Sequence, residues 1–140
     1  MIEFISKTDY QLSNQNDYAD WVERVISSEN KVCGDISYTF CDDDFLDKLN
    51  QKYLNHTDYT DIISFDATTG NIISGDIFIS LERVSENAQK FAVSFDVELL
   101  RVLAHGLLHY CGYNDKTPEE SALMRSKEEE KMQMFHVEQF

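Results

Sequence analysis

Apolar and polar positions along the chain change period several times, and each change marks an element. Ile2 to Ser6 alternate weakly, as a short strand does. From Asp17 to about Asn30, Tyr18, Trp21, Val22, Val25 and Ile26 recur at helical spacing, with Asn16 or Asp17 as the cap. Cys33-Gly34 interrupts, and Ile36, Tyr38 and Phe40 then alternate as a half-buried strand. Asp42 to Asp44 suit a helix start, since carboxylates there meet the helix dipole favourably, and the apolar face Phe45, Leu46, Leu49, Tyr53, Leu54 ends near Asn55. Asp58 to Asp61 read as a polar loop. Ile62 to Phe65, and then Ile72-Ile73 and Asp76 to Ser80, carry strand residues around a turn at Asp66–Gly70, which predicts a hairpin.

Three further helices follow. Val84, Ala88 and Phe91 give one over Leu81 to about Phe91. A central helix is predicted to start after Ser94; its apolar residues Val97, Leu99, Leu100, Val102, Leu103, Ala104, Leu107 and Leu108 wrap nearly all round, so it is expected to be buried. The last helix begins with Thr117 as cap, Pro118 where a missing N–H is harmless, and Glu120 completing a capping box. Its Glu-Glu-Glu-Lys run, residues 128–131, reads as a solvated face. Interleaved strands and helices predict an α+β or α/β domain with one small sheet, and the 140 residues make one domain over 1–140.

Composition then narrows the function. The net charge of −14, with 12 basic residues scattered and no basic run, opposes unaided nucleic-acid binding, because phosphate contacts need Lys or Arg. No apolar run approaches a membrane span, and the N-terminal residues lack a secretory layout. Cys33, Cys41 and Cys111 form no C-x-x-C pair and are odd in number, which fits free thiols in a reducing cytosol.

The chemistry is concentrated in Val97–Asp115. His105 and His109 stand four apart on the central helix, so both imidazoles project from one face. Gly112 suits a left-handed helix stop, and the turn returns Asp115 towards that face. Two imidazoles and a carboxylate make a three-ligand zinc site with a position left open, the mark of a catalytic site. The alternatives are two hydrogen-bonded core-edge histidines, and an Asp115 that with Asn114 merely fills a turn or caps the last helix. The helix is similar to the H-E-x-x-H of zinc proteases, but Gly106 stands in place of the Glu that acts as their general base. Gly106 is expected to leave room for substrate or backbone near the metal.

The stretch His105–Asp115, HGLLHYCGYND, resembles the H-G-x-L-H-x-x-G-Y-D-H signature of the YbeY-type metal-dependent endoribonucleases, the rRNA maturation factors. Leu49-Asn50 with Thr60–Phe65 (TDIISF) is similar to that family's L-N…T-D-V-L-S-F, and Gly75–Ser80 (GDIFIS) to its G-D-I-x-I-S. The resemblance runs from about Leu46 to Met134. There are two departures: Asp115 stands where the family usually has a third histidine, and Leu54 where an Arg is common, with Lys52, His56 or Arg101 as possible stand-ins.

The resemblance implies an α+β, zincin-like domain whose small mixed sheet packs against helices around the metal-binding helix. It implies one Zn²⁺ per chain on His105, His109 and Asp115, and a cleft that Asp61, Ser64 and Arg101 would line. The general base is unassigned, and the nucleophile is either water or the RNA 2′-OH. The implied work is single-strand RNA cleavage in 16S rRNA 3′-end maturation and ribosome quality control, in the cytoplasm. The partners would be ribosomal RNA and the small subunit or its proteins, with no DNA and no membrane. Two rival readings are an assembly factor with a mainly structural zinc, and a metal-dependent hydrolase of another substrate class.

Overall fold

The computed structural model describes residues 1–53 and 61–137. In chain order the elements are β1 (Ile2–Ser6), α1 (Gln15–Ser28), β2 (Val32–Cys41), α2 (Asp43–Tyr53), β3 (Ile62–Asp66), β4 (Ile72–Ser80), α3 (Leu81–Lys90), α4 (Phe95–Tyr110) and α5 (Pro118–Val137). The strands form one mixed sheet in the order β1-β2-β4-β3. β2 pairs in parallel with β1 and β4, and β3 runs antiparallel to β4 as the expected hairpin. The fold is α+β, and no helix among the described residues is long and apolar enough to cross a membrane.

Most elements lie where hydrophobic periodicity puts them, and the exceptions have local causes. α1 begins at Gln15, ahead of the expected Asn16 or Asp17, because Asn14 takes the cap position in a left-handed conformation (φ 58°) and its carbonyl accepts from the Asp17 and Tyr18 N–H groups. β2 starts at Val32, earlier than Ile36. Val32 and Cys33 pair with Ile72 and Ile73 beyond a register irregularity, where the Cys33-Gly34 break falls. Leu54, His56 and the start of the Asp58–Asp61 loop lie outside the described residues.

The main core joins Trp21, Val22, Val25 and Ile26 of α1 to Leu99, Leu103 and Leu107 of α4 over Ile36, Tyr38, Phe40, Ile77 and Ile79 of the sheet. Burying a side chain of that size contributes about 1.5–3 kcal/mol, so the sheet holds α4 along most of its length. The buried Tyr38 phenol is satisfied by donating to the Leu103 carbonyl (3.1 Å). Successive strand residues point to opposite faces. Ile62 therefore meets α4 while Ile63 joins Leu46 and Cys41 in a smaller cluster under α2.

Gly106 is explained by this packing. A Cβ there would lie 3.1 Å from the Cδ1 atoms of both Ile62 and Ile77. The space expected for substrate is filled by the sheet, and the glycine lets α4 lie close on it.

α5 starts with the predicted capping box: Glu120 N–H donates to Thr117 Oγ1 (3.1 Å) and Thr117 N–H to Glu120 Oε1 (3.0 Å). The solvated reading of residues 128–131 fails for two of them. Met124, Glu128 and Lys131 form a buried stripe at helical spacing, because α5 crosses both α4 and α1.

Candidate metal centre

α4 carries both histidines and ends in a turn that fixes the rest of the group. Ser94 caps its start by accepting from the Val97 N–H (3.1 Å). At the other end Gly112 adopts φ +106°, a conformation that disfavours a side chain. The Gly112 N–H donates to the His109 carbonyl and the Tyr113 N–H to the Leu108 carbonyl, both 3.0 Å, the paired bonds of a Schellman stop. The chain thereby reverses and brings Asp115 over the histidine face.

The three side chains converge. His105 Nε2 and His109 Nε2 are 3.0 Å apart, and Asp115 Oδ2 lies 3.3 Å from the first and 3.5 Å from the second. One ligand atom from each residue falls within 4.8 Å of the others, a group able to hold a metal ion. A tetrahedral zinc with bonds of about 2.0–2.1 Å separates its ligand atoms by roughly 3.3–3.4 Å, so the spacing fits.

The outer nitrogens set the tautomers. His109 Nδ1–H donates to the Tyr113 carbonyl (3.0 Å), and His105 Nδ1–H to Glu128 Oε2 (2.7 Å). In the neutral rings both Nε2 atoms then present lone pairs to one another and to a carboxylate oxygen. Three acceptors facing one point call for positive charge between them, a metal ion or a proton. The electrostatics of His105 agree. Burial opposes its charged form, but the hydrogen bond it donates to Glu128 and the carboxylates of Glu128, Asp115 and Asp61 outweigh burial and raise its pKa above the usual value. The side chains of His109 and Asp115 are 32% and 39% exposed, so one side of the group faces solvent.

The other cleft expectations fall at different depths. Asp61 sits at the start of β3, within the field of His105, Glu128 and Asp115, and burial is the main cause raising its carboxyl pKa. Arg101 is turned towards Glu128 (Nη1–Oε1 3.2 Å) and Glu98 (Nε–Oε1 3.8 Å), so it braces the group from behind. Ser64 is exposed on β3, and the Tyr110 phenol at the end of α4 donates to the Asp76 carbonyl of the neighbouring β4 (3.2 Å). Lys52 lies over the Tyr53 ring.

Glu128 is the residue that the sequence analysis missed. It lies 23 positions from His105 and within a run of glutamates. The available signal was the Met124–Glu128–Lys131 spacing, which places a charge on the apolar stripe of α5.

Two imidazoles with fixed tautomers and a returning carboxylate, on a helix backed by a small mixed sheet, make a group able to hold a metal ion within an α+β fold. Residues 3–136 match the endoribonuclease YbeY family. The chain is 60% identical over 139 residues to the endoribonuclease YbeY of Flavobacterium johnsoniae, covering 99% of this chain and all of that protein (100%). It is 59% identical over 138 residues to the endoribonuclease YbeY of Christiangramia forsetii, covering 99% and 96%. The solution structure of TM1509 from Thermotoga maritima shares the fold, with a TM-score of 0.67 at 24% identity over 99% of this chain and 91% of that one. The chain belongs to the endoribonuclease YbeY family, a family of enzymes that cut RNA.

Proposed function

We propose that this protein is a zinc-dependent endoribonuclease acting on single-stranded RNA, in the 3′-end maturation of small-subunit ribosomal RNA and in ribosome quality control. The observation that carries the metal is the convergence of three lone-pair donors, His105 Nε2, His109 Nε2 and Asp115 Oδ2, at separations of 3.0–3.5 Å. The endoribonuclease names of relatives that match nearly end to end support RNA as the substrate class.

His105, His109 and Asp115 would hold the ion. When bound, it supplies a Lewis acid for a phosphoryl oxygen and lowers the pKa of a water. Glu128 keeps the proton of His105 on Nδ1, and the Tyr113 carbonyl does the same for His109, so both Nε2 atoms stay free to ligate. Arg101 holds Glu128 in that orientation. Asp61 supplies a carboxyl raised by burial and suited to carrying a proton beside the group. The open side at His109 and Asp115 favours a catalytic over a closed structural site.

Charge governs the partner. With −14 overall, the protein is expected to reach ribosomal RNA through the small subunit or its proteins. The same charge favours a second reading, an assembly factor whose zinc is structural. Cleavage of end-labelled single-stranded and duplex RNA separates the two. The proposal expects cutting of single strands that stops on chelation and in His109→Ala, with the variant still folded. Loss of folding on chelation, with no cutting by the loaded protein, supports the assembly factor.

A further inference from the structure

The turn that completes the metal group is tied down by residues far from it in sequence. Tyr113 directs its carbonyl to His109 Nδ1 (3.0 Å), and its phenol donates to Glu29 Oε1 (2.7 Å) at the end of α1. The other oxygen of Glu29 receives Lys131 Nζ (2.8 Å) and Lys127 Nζ (3.3 Å) from α5. Lys131 is 2% exposed, and its ammonium also meets Ser28 Oγ (2.9 Å) and Glu130 Oε2 (2.8 Å). Lys127 Nζ stands 5.5 Å above the Tyr113 ring.

A buried ammonium–carboxylate pair is a poor source of stability, since well-packed apolar residues often serve as well or better. This pair does something apolar residues would not: it presents a fixed, charged acceptor to a phenol. Tyr113 is two residues from Asp115, and between them only the exposed Asn114 intervenes. The position of one side chain therefore sets both a ligand's tautomer and the reach of another ligand.

We propose that Tyr113 is a positioning residue of the metal site: anchored on the Glu29 carboxylate that the buried Lys131 ammonium holds, it fixes the carbonyl that orients His109 and the short segment that carries Asp115. The inference rests on the metal reading proposed above. Outer-shell partners of metal ligands typically change metal affinity by about 10–100-fold when removed, which sets the expected size.

The test is a Co²⁺ titration of metal-free protein, followed by visible absorption, with Zn²⁺ competition. It compares the wild type, Tyr113→Phe, and the double variant E29L/K131M, in which the ion pair becomes apolar. Wild type is expected to give a tetrahedral cobalt spectrum. Both variants are expected to keep a cooperative unfolding transition without metal, yet bind Co²⁺ and Zn²⁺ about 10-fold or more weakly, with altered absorption bands. Wild-type affinity and spectrum in either variant would overturn the positioning role while leaving the metal site standing. Failure of the wild type itself to bind either ion would remove the metal reading, and this proposal with it.

Discussion

Glu128 Oε2 lies 2.7 Å from His105 Nδ1, and this contact joins the last helix to the metal group on α4. The carboxylate fixes the proton of His105 on the outer nitrogen and makes the inner one a stronger donor. Glu128→Gln retains an oxygen acceptor but removes the charge. Zinc affinity, measured by competition with a chelator, is expected to fall by about 10-fold or more. Glu128→Ala is expected to cost more, because Arg101 and His105 then share a buried space without their carboxylate.

The converging acceptors make a second prediction. Without a cation, the Nε2 atoms of His105 and His109 face each other at 3.0 Å. His109→Ala removes one acceptor, so the melting temperature of the metal-free variant is expected to equal or exceed that of the metal-free wild type. Metal-dependent stabilisation is expected to vanish in the same variant. A large loss of metal-free stability would instead assign His109 to the core.

Much of this site is legible in the sequence, for a local reason. The i, i+4 pair, the glycine stop and the returning aspartate are all set by bonds within one helix and its turn, such as the Gly112 and Tyr113 N–H bonds back into α4. The capping box at Thr117 and the β3–β4 hairpin are local too. Glu128 and Lys131 are not. Their burial depends on where α5 crosses α4 and α1, which no short-range pattern records, so a glutamate run reads as a solvated face. What Gly106 packs against is hidden for the same reason. Its neighbours Ile62 and Ile77 come from the sheet, far away in the chain.

Gly106 gives a packing test. An added methyl meets the Cδ1 ends of Ile62 and Ile77 at 3.1 Å and Ile77 Cγ2 at 3.5 Å, all side-chain atoms, and alanine favours helix by about 1 kcal/mol. These effects oppose, so Gly106→Ala is expected to stay within about 1 kcal/mol of wild type in chemical denaturation. Gly106→Leu overpacks the contact and is expected to cost about 1–3 kcal/mol.

The Glu29 anchor predicts a pH dependence. Burial raises its carboxyl pKa, but the hydrogen bonds from Lys131 and Tyr113 and the lysine charge outweigh burial and lower it below the ordinary 4.5. A group depressed in the folded state stabilises above its unfolded value and loses that contribution as pH falls through the folded one. The melting-temperature gap between wild type and Glu29→Gln is therefore expected to hold near neutrality and close progressively below pH 4.5.

The most direct measurement is the metal content of purified protein by elemental mass spectrometry, for wild type beside Asp115→Ala. One zinc per chain in the wild type, lost or much reduced in the variant, is the expected result and assigns the ion to His105, His109 and Asp115. No metal in the wild type, and none regained on adding zinc, would contradict the metal centre and return both histidines to the edge of the core.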